Sequence, residues 1–338
     1  MRYLTLALTL ALTLALPPAA MADPVVDDII DAHVLPGFRD LAVQSHTLAD
    51  TAAGDCDPTS DDLRGAYGAA FDAWISVSHL RFGPTEVDDR AFALAFWPDS
   101  RGTTPRTLNS LIAAQDPIAD VPTDYAEVSI AARGFYALEF LLYDDALMIA
   151  GDDAYRCTLI QTITADIALT SQKIIDEWQA SYAATIQNPT ADGYYRTDDD
   201  ALQELFKALS TGLQFTSDTR LGRPLGTFDQ PRPTRAEVRR SGRSTTHVML
   251  SLIALQDLAV RLSGDDAELA ETLNVAFMRA QGRVADLNDP VFAGVAQPQT
   301  RIRVETIQQS VDAIRAIVAT ELGPKLGVAA GFNSLDGD

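Results

Sequence analysis

The sequence predicts an all-α protein, and three observations support this fold class. Apolar residues recur at helical spacing through almost the whole chain, and no stretch shows the alternating apolar and polar pattern of a β-strand. Glycine and proline stand between the periodic segments, where helices end. With 47% hydrophobic residues among 338, the chain can bury a large core. We therefore expect bundles of helices.

Helical segments can be placed in order along the first half of the chain. Ser60 caps a helix over 60–79, which ends before Gly83 and Pro84. Thr104 caps the next helix, with Pro105 in its first turn. The spacing predicts longer helices over 125–143 and 155–182.

A polar break over 183–198 predicts a boundary between two bundles, which we place at 23–190 and 191–338. Four helical stripes follow the break, between Leu202 and Val318. The two halves contain similar numbers of helices, which is consistent with an ancient duplication, although no motif repeats.

The first 22 residues have the pattern of a cleavable signal peptide. Arg2 is positive, Leu4 to Leu16 form an uncharged apolar core of 13 residues, and Ala20-Met21-Ala22 offers a small-x-small cleavage site. This core is too short to span a bilayer. No cysteine lies near the cleavage site, so we expect a soluble protein outside the cytoplasm, without a lipid anchor or membrane span.

Charge and cysteine content narrow the function classes further. The formal net charge is −21, and such a surface repels nucleic acid and anionic lipid. Cys56 and Cys157 are the two cysteines of the chain, and in an oxidising compartment they are expected to form a disulfide. Closing so long a loop would stabilise the fold by about 4 to 5 kcal/mol in the chain-entropy model.

The first candidate for a functional site is the segment from Arg133 to Tyr143. Glu139 is the only charged residue between Gly134 and Tyr143 and is surrounded by bulky apolar residues. Its carboxylate therefore needs a partner, a metal or a raised pKa. Tyr136 lies three residues earlier on the same face and could share that site. The structural alternative is a glutamate paired with an arginine.

Two further groups could bind a ligand. His79 ends the helix over 60–79, where a histidine can bind a metal or simply interact with the helix dipole. Seven arginines between Arg220 and Arg243 could hold an anionic ligand or clamp the two bundles through surface carboxylates. Ser241 and Arg243 immediately precede a helix, where free N–H groups favour an anion. No zinc, nucleophile or phosphate-loop motif is present.

Seven segments form an ordered set along the chain: Val34-Leu35-Pro36, Arg81-Phe82-Gly83-Pro84, Phe96-Trp97-Pro98-Asp99, the Gly134 to Leu142 helix, Leu225-Gly226, Arg240-Ser241-Gly242-Arg243-Ser244 and the tail from Gly331 to Asp338. In this order, they resemble the imelysin family of exported bacterial proteins. The resemblance implies two helical bundles around a central crevice and a periplasmic location. It also implies a link to metallopeptidases with a Gly-x-His-x-x-Glu motif or to bacterial iron uptake.

The chain departs from that motif, because Tyr136 stands at the histidine position before Glu139. A neutral tyrosine is a poor zinc ligand and binds chiefly ferric iron, as phenolate. The resemblance therefore favours a ligand site formed by Glu139 and Tyr136, with Arg133, Ser241 and Arg243 nearby.

His79 or Asp99 would complete this site, and Glu139 with His79 would bind iron or another divalent or trivalent cation.

We expect a non-catalytic periplasmic binding or accessory protein in iron uptake, with a metal ion or a small metal chelate as its ligand. A metallopeptidase that uses Glu139 is the enzymatic alternative. A scaffold that presents Arg220 to Arg243 to a periplasmic or envelope protein is the third.

Overall fold

The computed structural model describes residues 23–328, and these residues form helices and loops without a β-strand, which confirms the all-α fold class. The predicted signal peptide and the tail from Gly331 lie outside the described residues. No helix among residues 23–328 is both long enough and apolar enough to cross a membrane.

Fourteen α-helices are described in this part of the chain, together with shorter π-helical and 3-10 segments. The α-helices are α1 Pro24–Ile29, α2 Leu35–Gly54, α3 Asp61–Val77, α4 Arg90–Leu94, α5 Thr103–Ala114, α6 Gly134–Tyr143, α7 Asp153–Glu177, α8 Ala183–Gln187, α9 Asp198–Gln214, α10 Gly222–Leu225, α11 Ser244–Leu262, α12 Ala267–Ala285, α13 Pro298–Ile317 and α14 Gly323–Lys325. The π-helical segments are Ile30–Val34, Trp178–Tyr182, Phe215–Leu221 and Val318–Leu322. The 3-10 segments are Gly83–Thr85, Val87–Asp89, Pro117–Asp120, Asp124–Glu127, Ile130–Ala132, Leu147–Ile149, Pro233–Arg235 and Ala293–Ala296.

The helix predicted over 125–143 is shorter than expected. Two 3-10 turns occupy its first part, and α6 begins only at Gly134, whose φ is +71°. A Cβ at this position would lie 2.2 Å from the carbonyl oxygen of Leu94, so only glycine permits the close approach of the two backbones. The sharp entry into α6 is therefore fixed by Gly134.

The start of α5 also differs from the prediction. Ser60 caps α3 through the N–H of Leu63 as expected, but Thr104 lies inside the first turn of α5 instead of capping it. Gly102 occupies the cap position, and the carboxylate of Asp99 accepts the N–H of Thr104 at 2.8 Å. The predicted helix over 155–182 extends further, from α7 through a π-helical turn to the end of α8 at Gln187.

The helices pack in a way that brings distant parts of the chain together. In the first half, α2 packs against α3 and α7, and α6 packs on α7. In the second half, α12 lies between α11 and α13, and α11 also contacts α9 and α3. The buried apolar side chains form one continuous cluster. The division into two bundles at residue 190 thus stays a prediction.

The predicted disulfide between Cys56 and Cys157 is present in the structure, with a Cα–Cα distance of 5.2 Å. Cys56 lies just beyond the end of α2, and Cys157 lies in the first turns of α7. Because α2 and α7 pack against each other, the bridge covalently fixes a contact that burial already favours.

Candidate functional site

A cavity of about 280 Å³ lies where α3, α11 and the segment Phe215–Leu221 meet the loop after α4. We call it the aromatic cavity. Its apolar walls are Trp74, Ile75, Phe92, Trp97, Phe215 and Leu255. Its polar lining includes His79, Tyr136, Arg220 and Glu237. A small volume with apolar walls and a few buried polar groups is typical of a site for a small ligand.

Glu237 is the centre of a buried polar cluster beside this cavity, and its side chain is 2% exposed. Its carboxylate accepts a hydrogen bond from Arg220 Nε at 2.8 Å and another from the hydroxyl of Tyr136, and it lies 3.4 Å from His247 Nδ1. Although burial raises the pKa of Glu237, the charge of Arg220, the nearby ring of His247 and the bond from Tyr136 lower it to about 2. Glu237 is therefore a carboxylate at neutral pH.

Tyr136 occupies the place of the motif histidine and acts as a hydrogen-bond donor to Glu237. Its ring stacks on Trp97 with the centroids 6.1 Å apart. Burial and the neighbouring Glu237 raise the pKa of Tyr136 well above its usual value, so the phenol stays protonated. The hydroxyl of Tyr136 bonds to Glu237 and not to Glu139, although Tyr136 and Glu139 both line one cavity.

Glu139 is also buried and has a different partner. One of its carboxylate oxygens accepts hydrogen bonds from the backbone N–H and the hydroxyl of Ser241, each at 3.0 Å. Burial raises the pKa of Glu139, while Ser241 and the charge of Arg240 oppose the increase. The anion next to Ser241 is thus the carboxylate of Glu139, whose hydrogen-bond donor is a serine and not the arginine of the structural alternative.

His79 belongs to a chain of hydrogen bonds that the spacing of the histidines did not predict. Its Nε2 lies 3.0 Å from Nε2 of His33, and Nδ1 of His33 lies 2.7 Å from Asp257. Burial, with His33 and Arg220 nearby, lowers the pKa of His79 well below its usual value, which keeps the ring neutral. His79 lines the aromatic cavity.

A second cavity, of about 250 Å³, has Trp97 and Tyr136 in common with the first. We call it the arginine cavity, because Arg223, Arg235, Arg239 and Arg240 line it together with Asp99 and Glu139. Asp99 accepts backbone N–H groups of Arg101 and Thr104, and these bonds lower its pKa although burial raises it.

The structure does not bring all of the predicted site residues together. Glu139 lines the arginine cavity and His79 lines the aromatic cavity, so the two predicted metal ligands do not line a common cavity. Within residues 23–328, no three His, Cys, Asp or Glu side chains are grouped so that they could hold a metal ion.

Two predicted ligand-binding arginines line neither cavity and instead form ion pairs. Arg133 binds Asp166 through two hydrogen bonds of 2.9 and 2.7 Å, and both side chains are buried. Arg243 pairs with Asp72 of α3. Both arginines were expected at the ligand site; the structure places Arg133, which is buried, and Arg243, which is partly exposed, in ion pairs within the fold.

Sequence reasoning missed Glu237, which organises the site. Glu237 is the only acidic residue between Pro231 and Arg243, a stretch that contains five arginines. A single carboxylate inside a run of arginines is a signal of an internal ion pair, and it could have been used.

The fold and the site together define a class of all-helical protein. In it, buried carboxylates from two parts of the chain line two cavities that share lining residues. The chain belongs to the imelysin family, whose model matches residues 34–318. The similarity covers most of the described helices and both cavities.

Individual relatives agree with this assignment. The chain is 23% identical over 301 residues to iron-regulated protein A of Synechococcus elongatus, covering 84% of this chain and 78% of that protein. An imelysin-like protein from Psychrobacter arcticum 273-4 has a TM-score of 0.77 and 21% identity, covering 91% of this chain and 96% of the other. A structure from Parabacteroides distasonis ATCC 8503, named as an iron-regulated protein A precursor, has a TM-score of 0.73 and 13% identity, covering 90% and 96%. These two structures have the same fold.

Proposed function

We propose that this protein is a periplasmic, non-catalytic binding protein in iron uptake and that it binds a small iron chelate in the aromatic cavity. The observation that carries the proposal is the cavity itself, a volume of about 280 Å³ with aromatic walls. The organic part of a chelate can pack against these rings, and buried polar groups can fix its orientation.

Support for iron comes from the relatives. The similar protein of Synechococcus elongatus is named iron-regulated protein A, and the structure from Parabacteroides distasonis has a name of the same kind. The word precursor in the latter name and the leader pattern of residues 1–22 both support export. We carry iron and export to this chain as parts of the proposal.

The hydrogen bonds that the buried carboxylates already accept favour a chelate over a bare ion as the ligand. Glu139 already accepts two hydrogen bonds from Ser241, and Glu237 already binds Arg220 and Tyr136. A bare ion would have to displace these donors, whereas a chelate arrives with most of its coordination complete. A metallopeptidase needs about three protein ligands and an open position for water, and the described residues offer no such group.

The test is a calorimetric titration with ferric citrate, ferric iron and, without oxygen, ferrous iron. The wild-type protein is compared with Ala95→Phe, which places a ring in the aromatic cavity, and with Ala69→Phe, a matched change on the exposed face of α3. We expect Ala95→Phe to weaken ferric citrate binding at least ten-fold and Ala69→Phe to leave it unchanged.

Equal affinities in Ala95→Phe and wild type, or the lack of binding by all iron probes, would overturn the proposal. Cleavage of a denatured protein that stops with a chelator and in Glu139→Ala would replace it with the metallopeptidase. If charge reversal at Arg239 and Arg240 abolishes capture of a native envelope protein while ferric citrate does not bind, the scaffold alternative is correct.

A further inference from the structure

The arginines of the segment 220–243 fall into distinct groups in the structure. Three of them pair with carboxylates: Arg240 with Asp144 and Arg243 with Asp72 from the first half of the chain, and Arg220 with Glu237 inside the segment itself. These three arginines therefore form ion pairs within the protein.

Arg232 is separate from the other arginines, because it bonds to the side chain of Gln230 and lines neither cavity. The remaining arginines, Arg223, Arg235 and Arg239, have no carboxylate partner within residues 23–328, and all three line the arginine cavity. The unpaired positive charge of the segment is therefore gathered around one cavity.

The charge of the arginine cavity is not balanced by its acidic residues. Of the four arginines that line it, Arg240 pairs with Asp144, which leaves three arginines against the two carboxyl groups of Asp99 and Glu139. Both carboxyl groups accept hydrogen bonds from backbone or serine donors, and neither forms an ion pair with Arg223, Arg235 or Arg239. In a chain with a net charge of −21, such an excess of positive charge is the exception.

Arg223 is the most informative member of the group. Its Nε is buried without a hydrogen-bond partner, and its guanidinium group lies 5.6 Å from the ring centroid of Trp97. Burial and the neighbouring charge of Arg235 both lower the pKa of Arg223, which means that a desolvation cost and a like-charge repulsion are left uncompensated. An oxyanion would accept the free N–H and remove the repulsion.

We propose that the arginine cavity is the binding site for an oxyanion group of the ligand, a carboxylate or a phosphate, held by Arg223 and Arg235. Trp97 and Tyr136 line both cavities, so one ligand can place its organic body in the aromatic cavity and its anionic group in the arginine cavity. This inference rests on the proposed function and narrows the ligand to an anionic chelate, such as one formed by a polycarboxylate.

The test uses citrate, ferric citrate and inorganic phosphate as probes, titrated calorimetrically into the wild type, Arg223→Gln, Arg235→Gln and the control Arg232→Gln. Thermal melts verify that each variant is folded. We expect Arg223→Gln and Arg235→Gln each to weaken binding of citrate and ferric citrate by about ten-fold or more, and Arg232→Gln to bind as the wild type does. Binding should also weaken as salt is added, because part of the site is exposed.

The outcomes separate this inference from the proposed function. Ferric citrate binding that is lost in Ala95→Phe but unchanged in Arg223→Gln and Arg235→Gln overturns the oxyanion site and leaves the proposed function standing. Citrate binding that depends on the two arginines but not on Ala95 supports the oxyanion site and overturns the aromatic cavity as the site. Phosphate binding without citrate binding, lost in the same two variants, supports the oxyanion site and identifies phosphate as the group. No binding of any probe by the wild type overturns both.

Discussion

Replacing Glu237 with glutamine removes the negative charge from the centre of the buried cluster and keeps nearly the same shape. Arg220, which is 4% exposed, then holds a charge that no carboxylate balances. Tyr136 can still donate to the amide oxygen, so the change tests the charge more than the packing. We expect the variant to fold with a clearly reduced free energy of unfolding at neutral pH.

The magnitude follows from the pKa of Glu237. Its value falls from 4.5 to about 2 on folding, and each pKa unit corresponds to about 1.4 kcal/mol, which gives about 3 kcal/mol. A second estimate agrees with this value. Removing one partner of a buried ion pair costs about 3 to 5 kcal/mol, because the remaining charge stays buried without a partner. Because the folded pKa is depressed, this stabilisation is fully present above pH 4.5 and is lost as the pH falls toward 2.

The assay is urea unfolding followed by circular dichroism at several pH values between 7 and 3. The wild type should lose stability as the pH drops below 4.5, and Glu237→Gln should lose about 2 kcal/mol less between pH 7 and pH 3, because the folded pKa of about 2 lies below the end of this range. The control is Glu86→Gln, because Glu86 forms a half-exposed pair with Arg81 and should cost less than about 1 kcal/mol. If Glu237→Gln is as stable as Glu86→Gln at pH 7, the cluster does not stabilise the fold as argued.

Three further changes test other features. Gly134→Ala should cost more than about 1 kcal/mol in urea unfolding, because its φ is +71° and a Cβ would strike the carbonyl oxygen of Leu94; an unchanged midpoint would contradict the strain. Replacing Cys56 and Cys157 with serine should cost about 2 to 5 kcal/mol without changing the helical circular dichroism spectrum. A melting temperature equal to that of the oxidised wild type would show that the bridge adds no stability. Tyr136→Phe removes one hydrogen bond to a buried carboxylate and should cost about 1.5 to 3 kcal/mol while the ring contacts persist; a cost below about 0.5 kcal/mol would mean that the bond contributes little.

Amphipathic periodicity predicted the fold class and the position of most long helices, because helices must bury one face wherever they lie in the fold. Ser60 could be recognised as a cap for the same local reason. The start of α6 could not be predicted from periodicity, since it depends on how closely the backbone approaches Leu94 from another part of the chain. Local pattern therefore predicted elements better than their ends.

For the site as well, local sequence predicted some features, and the others depend on the tertiary fold. Burial of Glu139 followed from its apolar neighbours, and the structure confirms that burial. Its partner Ser241 lies 102 residues away, and Tyr136 is separated from Glu237 by 101 residues, so sequence spacing carries no information about either pair. Both pairs form because α6 packs beside the loop before α11, which is a property of the tertiary fold.

The π-helical segment Phe215–Leu221 changes the phase of the long helix that runs from α9 into α10. Residues five apart do not face each other on an α-helix, yet the guanidinium group of Arg220 lies over the ring of Phe215, 4.8 Å from its centroid. Deleting one residue from this segment would restore α-helical winding and rotate the following residues by about 100°. Arg220 would then turn away from Glu237, so the ion pair depends on the winding of one helical turn as much as on the identity of the two side chains.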